Sequence, residues 1–227
     1  MDLIKRVIYE DNHIIIINKI PGELVQSDKT GDTSLSDLIK NYLKIKNNKP
    51  GSAYLGLVHR LDRPTSGVLV FAKTSKALAR LNNQFKLRLT KKIYWALVDK
   101  KIPKNYTSLS NWMTRNRKKN KSKAHINKVP ESKFAQLNLK RIKEFKKYCL
   151  LEIEPLSGRH HQIRAQLSSI GFPIQGDVKY GSARANKDKS ISLHSKSLSF
   201  THPVSKKKLS FEVLPMNTGI WKIVLYD

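Results

Sequence analysis

The sequence predicts a protein of mixed strands and helices, on three observations. Short runs rich in β-branched and aliphatic residues recur at strand length, most clearly Ile14-Ile15-Ile16-Ile17 and Val68-Leu69-Val70-Phe71-Ala72. Between them lie stretches with apolar residues three and four apart, each preceded by a serine able to cap a helix. No internal repeat or long linker interrupts the alternation of these pieces.

In chain order, residues 6–9 and 13–18 read as strands around Glu10-Asp11-Asn12, and Lys19-Ile20-Pro21-Gly22 as a turn. Ser34-Leu35-Ser36-Asp37 offers a capping box for a helix to about residue 44, with Leu35, Leu38, Ile39 and Leu43 on one face. Asn47-Asn48-Lys49-Pro50-Gly51 ends it. After the strand at 68–72, Ser75 caps a second helix to about residue 89, striped by Leu78, Leu81 and Phe85. Residues 91–98 form a strand, and the strongly basic 99–133 reads as the least ordered segment, a cationic hairpin or loop. Strands follow at 135–139 and 148–153, then a turn and helix from Ser157 to near Gly171. Short strand-like pieces around 209–213 and 221–226 close the chain, the first preceded by a lysine turn at 206–208.

Composition narrows the partners. The 227 residues hold 44 Lys plus Arg against 17 acidic residues, a net charge of +27. An excess of that size opposes compaction unless a polyanion shares it, so nucleic acid comes first and an anionic membrane surface second. A single cysteine, Cys149, excludes an intrachain disulfide and a multi-cysteine zinc site. No apolar run approaches the ~20 residues of a membrane span, and the N-terminus lacks a signal-peptide core. A soluble, intracellular protein is expected.

The chemistry centres on His59-Arg60-Leu61-Asp62-Arg63-Pro64-Thr65-Ser66-Gly67, a polar turn that feeds the apolar run ending at Ala72. A loop on a buried strand holds a side chain rigidly while leaving it reachable. Asp62 is the stretch's one carboxylate, and Arg60 and Arg63 beside it favour its ionised form. On composition alone, the same residues also fit an ordinary Asx-type turn.

The stretch resembles the signature of RluA-type RNA pseudouridine synthases, His-Arg-Leu-Asp, two residues, then Thr-Ser-Gly and an apolar run. Further segments extend the resemblance from about residue 6 to 200. The strand ending in Asn18-Lys19 matches an Asn-Lys-Pro-x-Gly motif with its proline shifted one place, and Gln26 or a neighbour stands where a histidine is frequent. Lys92 and Tyr94 match a Lys-x-Tyr strand. Ser157-Gly158-Arg159-His160-His161-Gln162-Ile163-Arg164 matches Thr-Gly-Arg-Thr-His-Gln-Ile-Arg, with Ser157 and His160 as departures. Gly171-Phe172-Pro173-Ile174-Gln175-Gly176-Asp177 and Leu193-His194 continue it.

The resemblance implies an α+β fold, a mixed, mainly antiparallel sheet with flanking helices and a central catalytic cleft. It implies one catalytic domain over 1–227 without the N-terminal RNA-binding module often fused to such enzymes. Asp62 would be the catalytic residue, Arg164 its ion-pair partner, Tyr94 the platform for the target base and Leu193 a packing neighbour of that base. Arg60 would fill the gap left by the flipped nucleotide. Extruding a base from its stack requires such replacements. Arg115, Arg117, Lys118, Lys119, Lys121 and Lys123 would touch RNA phosphates.

The implied activity is isomerisation of uridine to pseudouridine in ribosomal or transfer RNA, by a cytoplasmic monomer that needs no metal or other cofactor. A non-catalytic RNA-binding or ribosome-assembly factor of the same fold is the alternative, because charge alone does not separate the two. A hydrolytic glycosylase or nuclease would need paired carboxylates or a metal cluster. Only Glu152 and Glu154, on one face of a strand, suggest a pair. The adjacent His160 and His161 lack metal-ligand spacing, and neighbouring residues are expected to point apart.

Overall fold

A computed structural model describes residues 3–28, 31–48, 50–99 and 102–226. Lys49, and Lys100 and Lys101 at the start of the basic segment, lie outside them. The chain divides into two compact units, Met1–Lys91 with Ser195–Leu214, and Lys92–His194 with Pro215–Asp227. The fold is α+β with a mainly antiparallel sheet.

In the first unit, a 3-10 turn at Ile4–Arg6 leads into β1 (Val7–Glu10), and β2 (Ile14–Lys19) returns antiparallel to it. Helix α1 (Leu35–Lys46) follows, then β3 (Gly56–Leu57), β4 (Ser66–Ala72) and α2 (Ser75–Lys86). The strand order is β1-β2-β4-β10, where β10 (Leu193–Thr201) enters this unit at Ser195. β11 (Lys208–Glu212) pairs with β10, and β3 with β4. Every residue of β4 is buried, as a continuous apolar run demands of a central strand. Its Val68, Val70 and Ala72 join Ile14, Ile16, Leu81 and Phe200 in the core.

The capping box of α1 forms as expected: Ser34 Oγ accepts from the Asp37 amide, and the Asp37 carboxylate accepts from the Ser34 amide. Leu35, Ile39 and Leu43 are buried, whereas Leu38 is 39% exposed and falls outside the stripe. The cap of α2 is Thr74 rather than Ser75, its Oγ1 accepting from the Ala77 amide. That helix stops at Lys86, and Arg88 takes a left-handed φ of 59°.

The second unit carries β5 (Lys91–Val98, entering at Lys92), β6 (Ser108–Asn116), β7 (Lys121–His125), β8 (Lys133–Glu144) and β9 (Cys149–Pro155), ordered β5-β9-β8-β6-β7. All four pairings are antiparallel. Helix α3 (Gln162–Ser169) covers one face, its Ile163 and Leu167 packing on Ala96, Val98, Leu139 and Ile153. The opposite face carries Leu97 and Leu150 under Trp221.

The basic segment takes the hairpin rather than the loop form, but β6–β7 is well paired and not the least ordered part, in register from Trp112↔His125 to Asn116↔Lys121. Its order comes from inward Met113 and Ser122, both buried, which a charge count conceals. Residues 221–226 are helix α4 (Trp221–Tyr226), not a strand. Ile220, Trp221 and Val224 pack together on Leu97 and Leu150, a spacing of three to four that suits a helical face.

Candidate active site

In the first unit the loop that carries Asp62 is fixed from below. Thr65 N–H donates to the Asp62 carbonyl at 2.9 Å and closes the turn. Lys19, the last residue of β2, is fully buried. Its ammonium donates to the carbonyls of Thr65 (2.6 Å), Arg63 (3.1 Å), Ile20 (3.1 Å) and Asp62 (3.3 Å). One buried cation thus gathers the oxygens of two turns, 19–22 and 62–65. Burial pulls its pKa down from 10.5 to about 8, with the Glu23 and Asp62 carboxylates opposing the fall.

Arg63 reinforces the joint. Its Nε donates to the Gly22 carbonyl, its carbonyl accepts from the Gly22 amide, and its guanidinium pairs with Asp32 at 2.8 Å. On this support Leu61 is buried, Asp62 half-buried and Arg60 exposed. Gly67 then carries the chain into β4 with a φ of +117°, and a Cβ built there would lie 2.2 Å from the Ser195 carbonyl oxygen. Only glycine tolerates both the angle and the approach.

The second unit holds the other named residues. Tyr94, half-buried, packs against the core cluster that contains Leu193, itself 4% exposed. Ile163 of α3 belongs to the same cluster, so Tyr94, Leu193 and the helix bearing Arg164 come together. Arg164 is 5% exposed and held by Asp177, with Nε to Oδ2 at 2.6 Å and Nη2 to Oδ1 at 2.9 Å. This two-pronged geometry fixes the plane of the guanidinium, whose carbon lies 4.9 Å from the Tyr180 ring centre.

The hairpin is tied to the same helix. Lys121 Nζ lies 5.2 Å from the centre of the Tyr180 ring, and the Tyr180 hydroxyl accepts from the Ser122 amide. Ser122 Oγ bonds His160 Nδ1 at 2.8 Å, and His160 Nε2 bonds Asn120 Oδ1 at 3.0 Å. The two histidines do not point apart: their rings stack at 3.8 Å, because His161 takes a left-handed φ of 51° before α3. They serve the hairpin joint, and among the described residues no cluster of three or more His, Cys, Asp or Glu could hold a metal. Arg115, Arg117, Lys118, Lys119, Lys121 and Lys123 are all exposed on or around the hairpin tip. Glu152 and Glu154 share a strand face, opposite Trp95 and Asn138 respectively.

Two residues were not singled out from the sequence. Lys19 reads in the sequence as the junction of a strand and a turn, and its place in line with Ile15 and Ile17 on a buried strand gives no sign of the carbonyls it gathers. Asp177 closes the Gly171–Asp177 motif, but its role as the clamp on Arg164 has no local signature.

A half-buried carboxylate stands on a braced loop in the first unit, and a half-buried tyrosine and a clamped arginine stand in the second. The family model described as RNA pseudouridylate synthase matches residues 13–169, and the chain belongs to that family. The chain is 37% identical over 211 residues to a ribosomal large subunit pseudouridine synthase C of Buchnera aphidicola, covering 89% of this chain and 64% of the relative. A protein of the same name from Vibrio vulnificus is 32% identical, over 96% of this chain and 68% of its own. The chain therefore spans about two thirds of the length of these relatives, and slightly less for the first. Two human structures, RNA pseudouridylate synthase domain containing 4 and 1, share the fold with TM-scores of 0.77 and 0.74. They are 21% and 22% identical, cover 93% and 95% of this chain, and are themselves covered over 88% and 84%. No helix among the described residues is long and apolar enough to cross a membrane.

Proposed function

We propose that the chain is an RNA pseudouridine synthase that isomerises specific uridines in structured RNA, with ribosomal RNA favoured by the names of its relatives. The reaction conserves atoms. The C1′–N1 bond breaks, the uracil turns, C1′ bonds to C5, and the proton lost from C5 is matched by one gained at N1. Asp62 is the group that attacks or moves the proton. The observation that carries this reading is the buried Lys19 ammonium, which draws four carbonyls of two turns together beneath a half-exposed Asp62. A carboxylate held this way meets a bound nucleoside without further ordering, the main requirement of a positioned reactant.

Arg164 is the ion-pair partner of Asp62. The Asp177 clamp supports that role, since a fixed guanidinium plane orients a carboxylate better than a mobile lysine does. Tyr94 supplies the flat face that replaces lost stacking, Leu193 packs behind it, and Arg60 takes the vacated place in the RNA. The hairpin cations contact phosphates, and the catalytic unit acts as a monomer.

Incubating the purified chain with unmodified large-subunit ribosomal RNA transcript tests the proposal. Pseudouridine at discrete positions is expected. Binding without product would leave a non-catalytic RNA-binding factor, and free uracil would indicate hydrolysis.

A further inference from the structure

The hairpin has a second face that the proposed chemistry does not use. Register places Trp112 directly across from His125 on β7 and from Phe134 on β8, so three rings share one side of the sheet. Tyr94, Ile153 and Leu139 are cross-strand partners on the other side, the one covered by α3. The ring row is open to solvent: Phe134 is 42% exposed, and Trp112 and His125 are half-buried.

The row is also arranged. The Trp112 and Phe134 rings meet edge to face at 5.5 Å, and Thr114 Oγ1 fixes His125 through a 2.9 Å bond to Nε2. Exposed Lys128 rests its ammonium 5.4 Å from the centre of the Trp112 ring. Residues 115–133 hold eight Lys and Arg against one carboxylate, Glu131. The same face turns acidic only at β9, with Glu152 and Glu154, which bounds the patch to β6–β8.

A row of exposed rings carries no preference for a protein over a nucleic acid, but rings among cations do. Bases present flat faces that stack on aromatic side chains, while adjacent phosphates seek ammonium groups. A duplex hides its base faces, so the row fits an unpaired strand. We propose that the Trp112–His125–Phe134 face is a stacking platform for unpaired nucleotides of the RNA substrate, distinct from the site of the flipped base. β7 is the last strand in its sheet order, and the cationic tip lies at the end of the same hairpin. A strand that passes around this edge meets the tip with its phosphates and the ring row with its bases. Lys128 leaves the Trp112 ring for a phosphate when a base takes its place. The platform selects substrates with an unpaired flank beside the target uridine.

The inference rests on the proposed RNA substrate, but its test needs no turnover. An adenosine-only oligonucleotide of about ten nucleotides spans a site of this kind and contains no uridine to isomerise, so an inactive Asp62 leaves the result readable. Trp112→Thr keeps a strand-favouring residue and is expected to weaken single-strand binding roughly 5- to 150-fold, the range of one lost base stack. Affinity for a blunt RNA duplex of equal length is expected to change less than about twofold, since phosphate contacts dominate it. Trp112→Phe retains a ring, so single-strand affinity stays within about threefold while oligonucleotide-induced quenching of indole fluorescence falls. Equal single-strand affinity of the wild type and Trp112→Thr overturns the proposal, and is the outcome if the face docks a protein. A loss shared equally by single strand and duplex also overturns it, since that is what a collapsed hairpin produces.

Discussion

Replacing Lys19 by Met removes the cation that braces the Asp62 loop while filling nearly the same space. Two effects oppose each other in stability. The thioether leaves the Ile20 and Thr65 carbonyls without the ammonium, whereas the Asp62 and Arg63 carbonyls keep the Thr65 and Gly22 amides as donors. Each orphaned buried acceptor costs about 1–3 kcal/mol. Against that, the fall in the Lys19 pKa from 10.5 to about 8 corresponds to roughly 3 kcal/mol of disfavoured charge that Met does not carry. The net change in unfolding free energy is therefore expected to stay within about 3 kcal/mol. Activity is affected differently, because a shift of about 1 Å in a reacting group costs up to 10²-fold. Pseudouridine formation under single-turnover conditions is expected to slow roughly 10- to 100-fold with RNA affinity little changed. An unchanged rate, or a loss confined to affinity, would refute the bracing role.

The same lysine sets a pH signature. The folded state releases its proton near 8 and the unfolded state near 10.5, so between those values the unfolded chain binds more protons. The group's contribution to stability thus rises with pH across that window. The neutral amine has fewer hydrogens to share, so the loop loosens and the wild-type rate falls above about pH 8. Comparing rate and denaturation midpoint with those of Lys19→Met from pH 7 to 10 checks both limbs.

Three other outcomes follow from the geometry. Gly67→Ala forces a Cβ to 2.2 Å from the Ser195 carbonyl oxygen at a φ of +117°, and a cost of about 3 kcal/mol lowers Tm by roughly 6–12 °C; a midpoint within a degree or two of wild type would contradict the close approach. Arg164→Met and Asp177→Asn each remove one charge of the buried pair and are expected to destabilise by about 3–5 kcal/mol, with the double variant losing less than the sum in urea unfolding. RNA affinity is expected to drop roughly 10³- to 10⁵-fold between 50 and 200 mM salt if six to ten phosphates are contacted, and each of Lys118→Ala and Lys119→Ala to lower the logarithmic salt slope by about one; a salt-insensitive isotherm would reject the polyanion contact.

Local signals carried much of the fold. The α1 capping box and the strand at Lys91–Val98 are written in adjacent residues, and both form as read. Residues 221–226 read as a strand because six residues are too few to separate a helical from an alternating pattern; packing on Leu97 and Leu150 makes them a helix. The hairpin was legible as charge but not as order, since its buried side is only Met113, Ser122 and their neighbours. Asp62 was visible through its motif. Lys19 and Asp177 were not, because their roles depend on residues 43–46 positions away and 13 positions away, respectively. A buried charge reveals its purpose only once its acceptors are in place.

The most direct measurement pairs product with binding in a single substitution. Asp62→Asn keeps the size of the side chain and removes its charge. Mixed with unmodified large-subunit RNA, this variant is expected to bind as the wild type does and to form no pseudouridine. Pseudouridine at the wild-type rate from Asp62→Asn would contradict the assignment of the chemistry to this carboxylate.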